Sequence, residues 1–301
     1  MNRILILSAL ALLFAINEAA AAALNVFACE PEWAALTQEL GGDKISVYTA
    51  TTALQDAHFI EARPSLIAKA RSADLMICTG AELEVGWLPL LLTQSGNGKI
   101  QPGAPGFLDA SSFVLKLDVP KILDRAQGDI HPAGNPHILL DPRNIAKVGA
   151  TLTKRLSQLD PGNADAYQVR GKAFQDRWQT AIQRWEQEGA PLKGVPVITH
   201  HKDMTYLIHW LGMREVGNLE PKPGIPPTAG HLAELFANMQ RDPAKMILRT
   251  PFQDARAAEL LAQRAKIPAV VLPFTVGGND KAKDLFGLFD DTLQRLLQAE
   301  K

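Results

Sequence analysis

Hydrophobic and polar positions follow a strand and helix rhythm in the first third of the chain. Short apolar runs at 25–29, 45–50 and 75–78 are separated by segments of helical period at 32–40 and 64–73. Strands that alternate with helices predict a βαβαβ unit with a parallel sheet. Gly41 and Gly42 are expected to end the first helix, and Pro64 to begin the second. A weaker apolar run at 113–117 predicts a further strand.

The second half of the chain repeats this pattern after one long amphipathic segment. Apolar residues recur on one face of residues 163–188, which predicts a single helix about 40 Å long. Apolar runs at 195–199, 215–219, 245–249 and 269–272 predict a second set of strands. We therefore expect an α/β fold of two lobes, each with a mainly parallel sheet flanked by helices. The predicted boundaries are 24–160 for the N-terminal lobe, 161–190 for a connecting helix and 191–301 for the C-terminal lobe.

The N-terminus has the layout of a secretory signal peptide, which we place at residues 1–23. Arg3 precedes an apolar core at 4–16 that is too short to span a bilayer, and a run of alanines follows. A free periplasmic protein is expected. Its net charge of -1 gives no reason to expect a nucleic-acid partner. Cys29 and Cys78, both near strand ends, could form a disulfide in that compartment or remain two buried thiols.

Candidate metal ligands follow the predicted strands or lie in adjoining loops. These residues are His58, His137, His201 and Asp280. Ligands of open parallel sheets bind outside the carboxyl ends of the strands, so two facing lobes would bring these side chains into a cleft. Three imidazoles and one carboxylate match the ligand set of tetrahedral zinc, whereas manganese prefers more oxygen ligands. The stretch 128–142, which contains His137, could alternatively be a polar interdomain turn.

Several residues leave alternatives open. His200 and His201 are adjacent, so on an extended segment only one of them is expected to face the site. Asp284 could replace Asp280 as the acidic ligand. His131 could be an accessory ligand, a metal-capture residue or an ordinary loop histidine.

Five segments make the chain resemble the zinc and manganese solute-binding receptors of bacterial ABC importers, also called cluster A-I or cluster 9. They are residues 40–88 with QDAH at 55–58, GNPHILLDP at 134–142, HHKDMTYLIHWLGM at 200–213, EPKPGIPP at 220–227 and TVGGND at 275–280.

The resemblance implies that His58, His137 and His201 are metal ligands, with Tyr206 selecting His201 over His200. It matches Asp280 to the acidic fourth ligand, and a histidine at the third position favours Zn²⁺. Because the long His-rich loop of many zinc members is missing, the chain is most similar to the AztC-type zinc receptors.

The function expected from this resemblance is the capture of Zn²⁺ in the periplasm and its delivery to an ABC permease and its ATPase. A periplasmic metallochaperone is a further implied partner, and the receptor is expected to be a monomer. A manganese or iron receptor of the same family is the first alternative. A zinc hydrolase is the second, although the chain has neither the H-E-x-x-H nor the G-x-S-x-G motif. An adhesin-like binding module is the third. We therefore predict that the protein is not an enzyme.

Overall fold

Two four-stranded parallel sheets form the centres of two lobes. The computed structural model describes residues 23–122, 128 and 130–301, so the predicted signal peptide lies almost wholly outside the described residues. In that part of the chain no helix is both long and apolar enough to cross a membrane. The strands are β1 (Leu24–Ala28), β2 (Ile45–Thr49), β3 (Leu75–Cys78) and β4 (Phe107–Asp109) in the first sheet, and β5 (Pro196–Thr199), β6 (Arg214–Asn218), β7 (Met246–Arg249) and β8 (Ala269–Val271) in the second.

The helices cover the faces of both sheets. They are α1 (Pro31–Gly41), α2 (Pro64–Arg71), α3 (Leu88–Ser95), α4 (Pro142–Leu159), α5 (Ala164–Glu188), α6 (Thr205–Leu211), α7 (Ala229–Met239), α8 (Ala255–Ala265) and α9 (Leu285–Glu300). Prolines stand in the first turn of α1, α2, α3 and α4, where a missing N–H costs no helical hydrogen bond. The predicted α/β class and two-lobed architecture are confirmed.

The prediction of a strand at 113–117 was wrong. The fourth strand of the first sheet is Phe107–Asp109, which pairs with β3 in parallel register. Leu115 is 76% exposed, so the apolar run that suggested a strand does not contribute a buried face. A strand of three residues is too short to produce a recognisable periodicity in the sequence.

Both sheets have the same topology. The strand orders are β2-β1-β3-β4 and β6-β5-β7-β8, and all pairs are parallel. In each sheet the chain first crosses to one side of the initial strand and then to the other, which creates a crevice at the carboxyl ends. Polar residues therefore collect there: Glu30 follows β1, Thr79 follows β3, and His200 and His201 follow β5.

The long helix α5 packs against α1 and α4 on one side and against α9 on the other. Its buried Trp178 and Trp185 form ring contacts with each other and with Phe289 of α9. One hydrophobic core extends from β1 through these rings to β5. Because the lobes share a packed core, we infer that they move less relative to each other than lobes joined only by strands.

A disulfide joins the neighbouring strands β1 and β3. Cys29 and Cys78 are fully buried, and their Cα atoms lie 4.8 Å apart, within the usual range for a disulfide. Of the two alternatives left open by the sequence, the structure contains the disulfide. It ties together the two strands from which Glu30 and Thr79 extend.

Candidate metal centre

His58 lies in the loop that follows β2, and Asp56 fixes its orientation. Asp56 Oδ1 accepts the backbone N–H of His58 at 3.0 Å, which caps the short 3-10 turn Ala57–Phe59. The same oxygen accepts the ring Nδ1–H of His58 at 2.7 Å. Because a carboxylate oxygen can only accept, Nδ1 carries the proton and Nε2 carries the lone pair.

His137 is held in the same manner by the amide of Asn135. Asn135 Oδ1 accepts the backbone N–H of His137 at 3.0 Å and its ring Nδ1 at 2.9 Å. Asn135 Nδ2 donates to the carbonyl oxygen of Lys202 at 2.8 Å and to Thr205 Oγ1 at 3.0 Å. One buried amide therefore connects the loop of His137 to the segment that follows His201.

His201 follows β5 and donates Nδ1–H to Glu220 Oε2 at 2.7 Å. That carboxylate also accepts the backbone N–H of Gly224 at 2.8 Å, so the proline-rich segment 220–227 is folded around it. Further along, Tyr206 Oη donates to the carbonyl oxygen of Asn135 at 2.8 Å. Its hydroxyl thus attaches the helix after His201 to the His137 loop.

The three imidazoles converge on one point. Ring centroids lie 5.2 Å apart for His58 and His137, 5.3 Å for His137 and His201, and 5.8 Å for His58 and His201. One ring nitrogen of each histidine lies within 4.8 Å of the other two. Since every Nδ1 is hydrogen-bonded to an oxygen, the Nε2 atoms are the ones available to an ion. Oriented neutral imidazoles of this kind are typical of zinc sites.

The electrostatics of the site favour neutral His137. Burial, followed by the nearby charges of His58 and His201, holds the pKa of His137 well below its ordinary value. His201 differs: burial alone would lower its pKa, but the hydrogen bond to Glu220 and the charge of Asp203 together raise it. A proton therefore competes with a metal ion more strongly at His201 than at His137.

The histidines border a cavity of about 120 Å³ between the lobes. Pockets that hold drug-sized organic molecules measure about 300–1,000 Å³, so this one suits an ion or a few waters better than a large solute. Buried carboxyl groups of Glu30, Glu32 and Asp203 also border it.

Sequence reasoning did not assign roles to these acidic residues. Burial raises the pKa of Glu32 and of Asp203 to about 7, and burial together with the charges of Glu84 and Glu32 raises that of Glu30 well above its ordinary value. Glu30 and Glu32 follow β1 almost directly. Their position at the carboxyl end of a strand is the sequence feature that could have identified them as residues of the cleft. The role of Asn135 depends on contacts 67 and 70 residues away, which no local pattern contains.

The remaining described histidines differ in position. His231 Nε2 donates to the carbonyl oxygen of Asn218 at 2.9 Å, and His209 is exposed on α6. His200 is buried but lines neither cavity that His201 borders. His131 approaches the cluster, with its Nε2 at 3.2 Å from Nε2 of His58.

Asp280 is not brought together with the histidines. Its side chain is exposed and borders neither of the cavities that they line. Asp284 is also exposed, and its Oδ1 accepts the N–H of Gly287 as the N-cap of α9. The acidic fourth ligand therefore stays a prediction.

Comparisons with known proteins agree with this geometry. The profile of the family described as zinc-uptake complex component A, periplasmic, matches residues 26–299. A metal ABC transporter substrate-binding lipoprotein, ScbA of Streptococcus cristatus, is 27% identical over 164 residues, which cover 54% of this chain and 50% of that protein. The zinc-binding lipoprotein AdcA of Streptococcus pneumoniae R6 is 22% identical over 240 residues, covering 78% and 47%. The chain spans about half the length of these curated relatives.

A crystal structure of ZnuA has the same fold. It superposes with a TM-score of 0.77 at 22% sequence identity, covering 93% of this chain and all of that one. Two parallel α/β lobes thus enclose a cleft in which three imidazoles converge. The chain belongs to the zinc-uptake complex component A family of periplasmic binding proteins.

Proposed function

We propose that this protein binds Zn²⁺ in the periplasm and delivers it to an ABC permease with its ATPase. The single observation that carries the proposal is the convergence of three imidazoles whose Nδ1 atoms are all held by oxygen acceptors. His58, His137 and His201 are assigned as ligands through Nε2. Support also comes from the family to which the chain belongs and from its zinc-binding and metal-transporter relatives.

Zinc is proposed over manganese or iron because of the donor atoms. Three neutral nitrogen ligands suit Zn²⁺, whereas Mn²⁺ is better bound by carboxylate, carbonyl and water oxygens. The carboxylates of Asp56 and Glu220 are engaged by histidine Nδ1 atoms. They are therefore proposed to stabilise the bound dication through the imidazole rings instead of by direct contact.

Release to the permease is proposed to involve a small local change. The hydrophobic core continues between the lobes, so a wide hinge opening would expose buried aromatic surface. Displacement of one ligand loop, such as the loop of His58, would weaken the site at lower cost. A periplasmic metallochaperone remains a proposed donor of the ion, and the receptor is proposed to act as a monomer.

The proposal is tested by measuring the zinc affinity of the mature protein against chelators of known strength. We expect about one tightly bound Zn²⁺ per chain and a much weaker affinity for Mn²⁺. The triple variant His58→Ala, His137→Ala and His201→Ala should lose tight zinc binding. His209→Ala is the matched control, because this histidine is exposed on α6 and should not affect affinity. Full zinc affinity in the triple variant would refute the ligand assignment.

A further inference from the structure

His131 is closer to the metal centre than either aspartate considered for the fourth ligand. Its Nε2 lies 3.2 Å from Nε2 of His58, and its ring centroid lies 5.3 Å from that of His58 and 6.4 Å from that of His137. It borders a second cavity together with His137 and His201. His131 therefore lies beside His58, at the second cavity that His137 and His201 also border.

The contact between His131 and His58 has a chemical requirement. Nδ1 of His58 donates its proton to Asp56, so Nε2 of the neutral ring carries a lone pair. A second nitrogen at 3.2 Å must then either donate a proton to that lone pair or share a cation with it. In tetrahedral zinc with Zn–N bonds of 2.0–2.1 Å, neighbouring ligand nitrogens lie about 3.3–3.4 Å apart. The observed distance of 3.2 Å between the two Nε2 atoms is close to this nitrogen–nitrogen distance.

The backbone holds His131 near this position. The N–H of Gly134 donates to the carbonyl oxygen of His131 at 3.0 Å, which closes a tight turn. The N–H of Asn135 then donates to the carbonyl oxygen of Leu117 at 2.8 Å. Asn135 orients His137, so His131 and His137 are positioned by one continuous hydrogen-bonded segment.

Charge does not require an acidic fourth ligand. Asp56 and Glu220 each lie one imidazole away from the convergence point, where they can offset the charge of a dication. Asp203 is buried at the same cavity, and its Oδ1 has no hydrogen-bond partner among the described residues. Asp280, in contrast, is exposed and borders neither cavity.

We propose that His131 is the fourth ligand and completes a four-nitrogen zinc site with His58, His137 and His201; this assignment rests on the proposed function. A four-imidazole site also disfavours Mn²⁺, because it offers that ion no oxygen ligand from the protein. His131 thus contributes to metal selectivity as well as to affinity.

X-ray absorption at the zinc edge of the protein loaded with one equivalent of Zn²⁺ tests this directly. We expect four imidazoles in the wild type and three imidazoles with one oxygen ligand in His131→Ala. The zinc affinity of that variant should fall tenfold or more. His209→Ala is the control, because this histidine is exposed on α6, and it should keep both the wild-type spectrum and the wild-type affinity.

Three imidazoles and one carboxylate in the wild-type spectrum would overturn the assignment, as would an unchanged spectrum in His131→Ala. The wild-type spectrum requires no substitution, so the test does not depend on how well a variant folds. If the triple variant of His58, His137 and His201 keeps its zinc, the proposed function itself fails. If the triple variant loses zinc while His131→Ala keeps the wild-type spectrum, only the assignment of His131 fails.

Discussion

The amide of Asn135 offers the sharpest test of how the centre is assembled. Its Oδ1 accepts two N–H groups of His137, at 3.0 and 2.9 Å, and its Nδ2 donates to Lys202 and Thr205. Asn135→Ala removes the acceptor that fixes the tautomer of one ligand and the bridge to the segment carrying another. Loss of such a supporting group typically lowers metal affinity 10–100-fold, which is about 1.4–2.8 kcal/mol.

Asn135→Asp separates the two roles of the amide. A carboxylate can still accept from Nδ1 of His137, but it cannot donate to the carbonyl oxygen of Lys202. We therefore expect Asn135→Asp to orient His137 better than Asn135→Ala does. It should nevertheless lower the free energy of unfolding by about 1–3 kcal/mol, because buried groups lose their partners.

Zinc affinity by chelator competition and stability by urea unfolding of the metal-free protein are the two measurements. Asn238→Ala is the control, because this exposed asparagine contacts Arg241 on the surface and should leave both quantities unchanged. Wild-type zinc affinity in a folded Asn135→Ala protein would refute the reasoning.

Three further predictions follow from the buried groups. Zinc affinity should be at least about tenfold lower at pH 5.5 than at pH 7.5, because the raised pKa of His201 lets protons compete with the ion as the pH falls. Equal affinities at the two pH values would contradict this. The pKa of Glu30 is raised well above its ordinary value, so the folded state retains a proton that the unfolded chain releases, and stability decreases as the pH rises. Glu30→Gln should reduce that loss between pH 5 and pH 8 in chemical unfolding of the metal-free protein, and an unchanged slope would contradict it. Replacing Cys29 and Cys78 by serine should cost about 4 kcal/mol of unfolding free energy for a loop closed over 49 residues, and a midpoint equal to that of the wild type would argue against it.

The fold could be predicted from local patterns to a large extent. Each of β1, β2, β3 and α5 lies within a residue or two of its predicted bounds, since a period of two or of 3.6 residues is encoded in neighbouring positions. The strand Phe107–Asp109 was missed because three residues carry no period. Its place in the sheet depends on pairing with β3, a contact that is distant in sequence.

The positions of His58 and His201 after strands were evident from the sequence, because loops at the carboxyl ends of parallel strands meet at one edge. The tertiary structure alone decided which ring nitrogen faces the cavity, since that depends on the hydrogen bonds of Asp56 and Glu220. It also decided that His131 lies beside His58 while Asp280 is exposed on the surface.

The sequence by itself determined the elements, their order and the kinds of residue at their ends, because these are set by interactions between neighbours along the chain. Only the tertiary structure decided which of those residues meet. His58, His137 and His201 are separated by 79 and 64 positions, and their convergence depends on the packing of two lobes around one shared core. Such packing is a sum of many distant contacts, and no short segment contains it.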